Sequence, residues 1–208
     1  MMNYYLLDAS VLPDPKEDKT VLAGIPDWRC AHILRYLRLR DRKLSLGAWR
    51  LMESSLKRHG FSAENVIIGK NGKPECEGVY FNLSHSVDMV LCAVSDAPVG
   101  CDIEKVTDAP MEVAERYFSE NERRYIADAT NSADSDRRFF RLWTMKESYM
   151  KMTGEGMSLS PDRLETDPDG LTILRDGVMQ SCVLHNRVID NYEISICTQI
   201  LHKPIFLR

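Results

Sequence analysis

The spacing of apolar and polar residues changes several times along this chain, and each change marks an element. Asn3 to Leu7 reads as a short strand and Leu12-Pro13-Asp14-Pro15 as the loop leaving it. From Trp28 to about His59 the pattern is helical, with Ile33, Leu34, Leu37, Leu44, Trp49, Leu51, Met52 and Leu56 as apolar positions and a break near Asp41. Val66-Ile67-Ile68 is a strand, and Gly69 to Pro74 a hairpin-like turn presenting Lys73 at its end. Phe81-Asn82-Leu83 is a short strand running into a Ser84-His85-Ser86 turn. The apolar run Met89 to Val94 then leads to a second strand-like stretch, Val99 to Glu104.

Asp108-Ala109-Pro110 marks a boundary, and Met111 to Tyr117 a short helix. In Ser119-Glu120-Asn121-Glu122 the serine and the second glutamate can satisfy each other's free amides, so a helix should run from there to about Ala129. Asn131 to Ser135 reads as a polar loop. The longest helix is expected from about Asp136 to Thr153, stopped by Gly154. Phe139, Leu142, Met145, Tyr149 and Met152 form its core stripe, while Trp143, Glu147 and Lys151 follow at steps of four on another side. Beyond a loop from Glu155 to Pro161, the chain reads as strands at Leu171 to Leu174, Val178 to Leu184 and Tyr192 to Cys197, with Asp176-Gly177 as a turn. Both halves set helices beside strands, which suggests a duplicated plan.

With 208 residues, 44% hydrophobic and 28% charged, the chain can bury a substantial core. A net charge of -4 argues against bulk binding to nucleic acid. The six cysteines form no C-x-x-C pair, and scattered thiols fit a reducing compartment. The first residues lack the basic start and apolar core of a signal peptide, and no apolar run approaches membrane-spanning length. The expectation is a cytoplasmic protein that does not engage a membrane.

Three stretches carry candidate chemistry. Asp102 and Glu104 stand two apart in a strand-like context, so both carboxylates face one space about 6.6 Å apart along the chain. They are either solvated acids closing a strand or two hard oxygen ligands for Mg²⁺. Glu147 and Lys151 are either a surface ion pair or a third carboxylate and a cation on one helix face. The basic run Arg29, Arg35, Arg38, Arg40, Arg42, Lys43 and Arg50 is either a solvated face or a grip for several phosphates. Gly69 to Pro74 is not a P-loop, because Pro74 stands where Ser or Thr is needed.

Taken together, Gly72-Lys73-Pro74, Phe81 to Ser86, Gly100-Cys101-Asp102-Ile103-Glu104 and Phe140 to Lys151 resemble the 4'-phosphopantetheinyl transferase superfamily, in its long, surfactin-type branch. The stretch Glu112 to Ser119 fits as well, and the similarity runs from about Gly72 to Leu159. The resemblance implies an α+β fold of two similar halves about a pseudo-two-fold axis, with the active site in the cleft between them. We set the halves at 1–105 and 106–208. It also implies a monomeric, Mg²⁺-dependent (or Mn²⁺-dependent) enzyme that moves the phosphopantetheine arm of coenzyme A onto a serine of an apo acyl or peptidyl carrier protein, releasing 3',5'-ADP. By that analogy Asp102, Glu104 and Glu147 hold the metal. Lys73, Ser84 and His85 meet the nucleotide phosphates, and Lys151 the pyrophosphate. Glu147 is the candidate base, and Lys151 stabilises or protonates the leaving phosphate.

One region departs from the family pattern. Trp28 and Ala31 stand where relatives carry basic residues on the 3'-phosphate, leaving Arg29, Arg42 or Lys43 to compensate. Met111, Phe118, Tyr125 and Ile126 are either a carrier-docking patch or plain core. The competing functions are a coenzyme A or carrier-binding module without turnover, and an unrelated Mg²⁺-dependent nuclease or phosphatase using the same acids.

Overall fold

The computed structural model describes residues 2–69 and 72–200. Strand β1 (Met2–Asp8) is followed by helices α1 (Asp27–Leu34) and α2 (Leu39–Arg58). The helical break falls at residues 35–38 rather than near Asp41, and Arg42 accounts for it. Its guanidinium donates to the Tyr36 and Leu37 carbonyls at 3.2 and 2.6 Å and pairs two-pronged with Asp14 at 2.8 and 2.5 Å. Asp41 lies instead in the first turn of α2, where the helix dipole favours negative charge. Leu37 falls in the break and is 89% exposed.

Strands β2 (Val66–Ile68) and β3 (Pro74–Cys76) form a small hairpin; β4 (Tyr80–Ser86) and β5 (Met89–Ser95) form a larger one, followed by β6 (Val99–Lys105). Ser84 and His85 therefore lie inside a strand; the turn is Val87-Asp88, with Val87 at φ 57°. β5 is buried on both faces, which is why it reads as an unbroken apolar run. Helices α3 (Met111–Tyr117), α4 (Glu120–Ala127) and α5 (Ser132–Thr153) follow. The capping box of Ser119 and Glu122 is present at the start of α4. α5 begins four residues earlier than its apolar spacing suggests. The Asn131 side chain accepts the Asp134 amide at 3.0 Å and draws the polar stretch into the first turn. Gly154, at φ 76°, ends it. The remaining strands are β7 (Leu164–Asp167), which the apolar spacing did not reveal, β8 (Thr172–Arg175), β9 (Val178–Met179), β10 (Cys182–Ile189) and β11 (Tyr192–Gln199).

The larger sheets have the orders β1-β5-β4 and β10-β11-β6. Each comes from the same chain plan: a strand, a long helix and a hairpin, with the first strand antiparallel to the hairpin's second strand. The first unit uses β1, α2, β4 and β5; the second uses β6, α5, β10 and β11. By strand pairing the second unit starts at Val99, so β6 belongs to it although it precedes the expected boundary at 105.

The layers follow from which side chains are apolar on each face. α2 packs Leu46, Met52 and Leu56 on one face of the first sheet, against Val90, Cys92 and Val94. The sheets meet through Leu91, Ala93, Val99, Cys101, Ile103 and Ile196. α5 covers the far side of the second sheet with Met145 and Tyr149, against Leu184 and Cys197. α3 and α4 lie against the first turns of α5 through Ala114, Phe118, Ile126, Phe139 and Leu142. Phe118 and Ile126 are thus core, 3% and 1% exposed, and cannot be docking positions, whereas Met111 is 43% exposed.

Two contacts fix α5. Lys146 is fully buried, with Nζ 2.8 Å from Glu122 Oε2, and donates to the carbonyls of Tyr117, Pro161 and Leu164. Glu122 also accepts from the amide and hydroxyl of Thr166, both at 2.8 Å, so the pair is fully hydrogen-bonded. On the other side, Gly100 of β6 lies against the α5 backbone, where a Cβ would run into Ser148 O and Met152 N. Lys146→Met strands Glu122 in the interior and should lower stability by about 3–5 kcal/mol. A fall of the denaturant midpoint checks it, and a loss under about 1 kcal/mol contradicts it. Gly100→Ala should cost about 1–3 kcal/mol by forcing β6 off α5. It should also lower activity more than a stability-matched core variant does, measured by thermal unfolding beside an activity assay.

Candidate active site

β4 and β6 run side by side in the same direction with a nearly constant offset. Asn82 Oδ1 accepts the Cys101 amide at 2.9 Å, Ser84 Oγ donates to Asp102 Oδ1 at 2.8 Å, and Ser86 Oγ donates to Glu104 Oε2 at 2.6 Å. Ser86 Oγ also accepts the Lys105 amide at 3.1 Å. Side chains thus join the two sheets where no backbone ladder does. The two-residue period of one strand matches that of the other, so each acid meets a serine. Ser86 was missed in the sequence, yet the signal was there: S-x-S on one strand repeats the step of D-x-E on the next.

α5 supplies the third wall. Lys151 Nζ lies 2.6 Å from Asp102 Oδ1 and 3.0 Å from Ser84 Oγ. Lys73 Nζ donates to the Lys151 carbonyl at 3.0 Å, reaching the end of α5 from the β2–β3 hairpin. Glu147, one turn before Lys151, is close enough that Asp102 and Lys151 both act on its ionisation. Asp102 is 2% exposed, and its Oδ2 has no hydrogen-bond partner among the described residues. The structure therefore gathers Lys73, Ser84, Asp102, Glu104, Glu147 and Lys151, with His85 at the solvent edge of β4.

The electrostatics of this cluster are those of crowded acids. Burial raises the Glu147 pKa, and the Asp102 charge raises it further against the pull of Lys151. Burial also raises Glu104; Ser86 opposes the shift and Asp102 adds to it. Burial works against the charge on Lys151, but Asp102 outweighs it and the pKa ends raised. Lys73 is lowered chiefly by burial, and His85 by burial first and then by Lys151.

Arg42 and Lys43 are not part of this cluster. Arg42 is held by Asp14 and the α1–α2 turn, and Lys43 donates to the Ser10 carbonyl at 2.8 Å. Arg29 is likewise turned onto Ser45, with its guanidinium over the Trp49 ring. Trp28 is half-exposed and lines an apolar cavity of about 350 Å³ with His32, Met52, Ile68, Pro74 and Leu83. Through Gly72, Pro74 and Leu83 this cavity adjoins another of about 570 Å³, lined by Lys73, Lys151 and Gly154. An apolar recess thus opens onto a pair of lysines.

Asp102, Glu104 and Glu147 are hard oxygen donors, and the unpartnered Asp102 Oδ2 is a buried acceptor without a donor, so the residues fit a small divalent cation. As the chain stands, Lys151 supplies the positive charge. Among the described residues no three His, Cys, Asp or Glu side chains are drawn together as a metal-binding group.

Comparison with known proteins bears on the same segments. The family model described as the 4'-phosphopantetheinyl transferase superfamily matches residues 98–197, which contain both β6 and α5. That part of the chain is similar to the superfamily. The chain is 40% identical over 129 residues to the 4'-phosphopantetheinyl transferase gsp of Aneurinibacillus migulanus, covering 60% of this chain and 54% of that one. It is 38% identical over 136 residues to psf-1 of Bacillus pumilus, covering 62% and 58%. It is 34% identical over 133 residues to Sfp of Bacillus subtilis (strain 168), covering 62% and 59%. All three relatives carry the name 4'-phosphopantetheinyl transferase. The chain spans little more than half the length of each.

The raised Glu147 pKa gives a pH signature. An acid whose folded pKa lies above its unfolded one stabilises the fold relatively at low pH, and that contribution is lost as pH rises through the folded pKa. Glu147→Gln should therefore raise the metal-free unfolding midpoint at pH 8. The gain should shrink to nothing below the ordinary glutamate pKa of about 4.3. A gain independent of pH, or a lower midpoint at pH 8, would contradict it.

Proposed function

We propose that this chain transfers the 4'-phosphopantetheine arm of coenzyme A to a serine hydroxyl of an apo acyl or peptidyl carrier protein, releasing 3',5'-ADP. The observation that carries this reading is that Lys151, bonded to Asp102 and Ser84, also lines with Lys73 a cavity that adjoins an apolar recess. Such a site suits a ligand that sets phosphates beside an uncharged aromatic ring. The relatives' names point to the same activity.

Phosphoryl transfer asks the protein mainly to position the groups and to neutralise charge. Lys73 and Lys151 flank the cavity where the pyrophosphate is held, and the apolar recess beside Trp28 takes the adenine ring. Glu147 accepts the serine proton, directly or through a water, and its raised pKa brings it nearer to the working pH of a general base. The serine oxygen bonds to the phosphorus bearing the pantetheine arm as the bond from that phosphorus to the bridging oxygen breaks. Lys151 stabilises or protonates the leaving oxygen. Mg²⁺, or Mn²⁺, held by Asp102, Glu104 and Glu147 would supply further positive charge for the pyrophosphate oxygens.

Both strands of the site and its helix come from one chain, which supports action as a monomer. The six cysteines are free, which supports a reducing, cytoplasmic setting. Among the described residues no helix is long and apolar enough to cross a membrane. The test is the intact mass of an apo carrier after incubation with the protein, coenzyme A and Mg²⁺. The expected result is a gain of one phosphopantetheine, abolished by chelator and slowed at least about a hundredfold by Glu147→Ala. Coenzyme A binding without any mass gain over several carriers would overturn the reading in favour of a binding module.

A further inference from the structure

Lys151 sits where a metal would be most useful to Asp102. Its ammonium is 2.6 Å from Oδ1, and Ser84 donates to the same oxygen at 2.8 Å, while Oδ2 is buried and unpartnered among the described residues. Three acids crowd this space. Glu104 stands two residues along β6 from Asp102, and Glu147 one turn before Lys151 on α5, so a cation here offsets like charge. A divalent ion and an ammonium on one carboxylate would repel each other at short range in a partly desolvated site.

We propose that Lys151 is a placeholder for the metal, an internal cation that must leave Asp102 before a divalent ion can be held there. The proposal rests on the transferase reading for what draws the lysine away, which is the coenzyme A pyrophosphate. The lysine has somewhere to go. Its side chain is 27% exposed, and it already lines the cavity shared with Lys73 and Gly154. The other charges facing it are Glu104, Glu147, Lys73 and His85. Of these only the acids hold it back, so an arriving polyphosphate competes directly with Asp102 for the ammonium. Coenzyme A and metal then bind cooperatively, and metal alone binds weakly.

Free Mn²⁺ measured by electron paramagnetic resonance during titration tests this without turnover. Wild type, Lys151→Met and Lys151→Gln are titrated with Mn²⁺ alone and then with coenzyme A present. Removing the lysine should tighten Mn²⁺ binding in the absence of coenzyme A by about tenfold or more, and the added effect of coenzyme A should largely vanish. Either variant, folded by circular dichroism, binding Mn²⁺ alone no more tightly than wild type would overturn the proposal. So would failure of coenzyme A to tighten Mn²⁺ binding to wild type, or no Mn²⁺ binding in any form. Should Lys151→Met not fold, the glutamine variant keeps the amide as a neutral replacement and decides the question. The Mn²⁺-only comparison needs neither coenzyme A nor a carrier, so a failed transfer assay leaves its outcome separately readable.

Discussion

The close approach of β6 to α5 at Gly100 is the constraint on which the site depends. Only hydrogen fits between the strand and the Ser148 and Met152 backbone atoms. That contact sets the distance from Asp102 to Lys151, and so the possibility of a bond of 2.6 Å between residues 49 apart in sequence. A wider gap would leave the carboxylates and the lysine as separate surface groups with ordinary ionisation. The glycine adds no charge of its own; it removes the volume that would keep the carboxylate and the lysine apart.

The neighbouring residues Lys146 and Glu147 show how one helix serves structure and chemistry together. A helix turns about 100° per residue, so adjacent side chains leave it in different directions. Lys146 goes inward to Glu122 and ties α5 to α4 and to the loop before β7. Glu147 goes toward β6. The buried pair holds the helix from behind while its other side carries acids in unfavourable surroundings. A site that concentrates like charges needs such an anchor, because the site itself detracts from folding.

Much of this was legible in the sequence because the relevant signals are short in range. D-x-E in a strand, a step of four on a helix and a capping box each report local geometry, and the segments near them took the expected forms. Long-range consequences were less legible. The basic run on α1 and α2 reads equally as ligand grip or as structural tether, and only the fold shows Arg42 bound to Asp14 and Arg29 turned onto Ser45. Phe118 and Ile126 could have been a surface patch, because an isolated apolar stripe does not say what covers it. β7 escaped notice because Leu164-Glu165-Thr166-Asp167 carries a single apolar residue. The assignment of β6 to the second unit depended on which strand it would pair with, and pairing partners far apart in sequence leave little trace in either one.

The repeated plan of strand, helix and hairpin leaves two places where a strand of the first unit faces the second. In one, β4 of the first unit meets β6 of the second, and the acids and serines lie along it. In the other, β1 of the first unit faces the hairpin of the second across a cavity of about 260 Å³ lined by Met2, Asn3, Tyr4, His185 and Arg187 with Ile194 and Ile196. No acidic side chain is among the described residues lining it. The acids and serines lie along one of these places and not along the other. The cavity beside β1 is free of the demands that hold Asp102 and Gly100 in place, so substitutions there can adjust how the two units sit together without disturbing the bonds between β4 and β6.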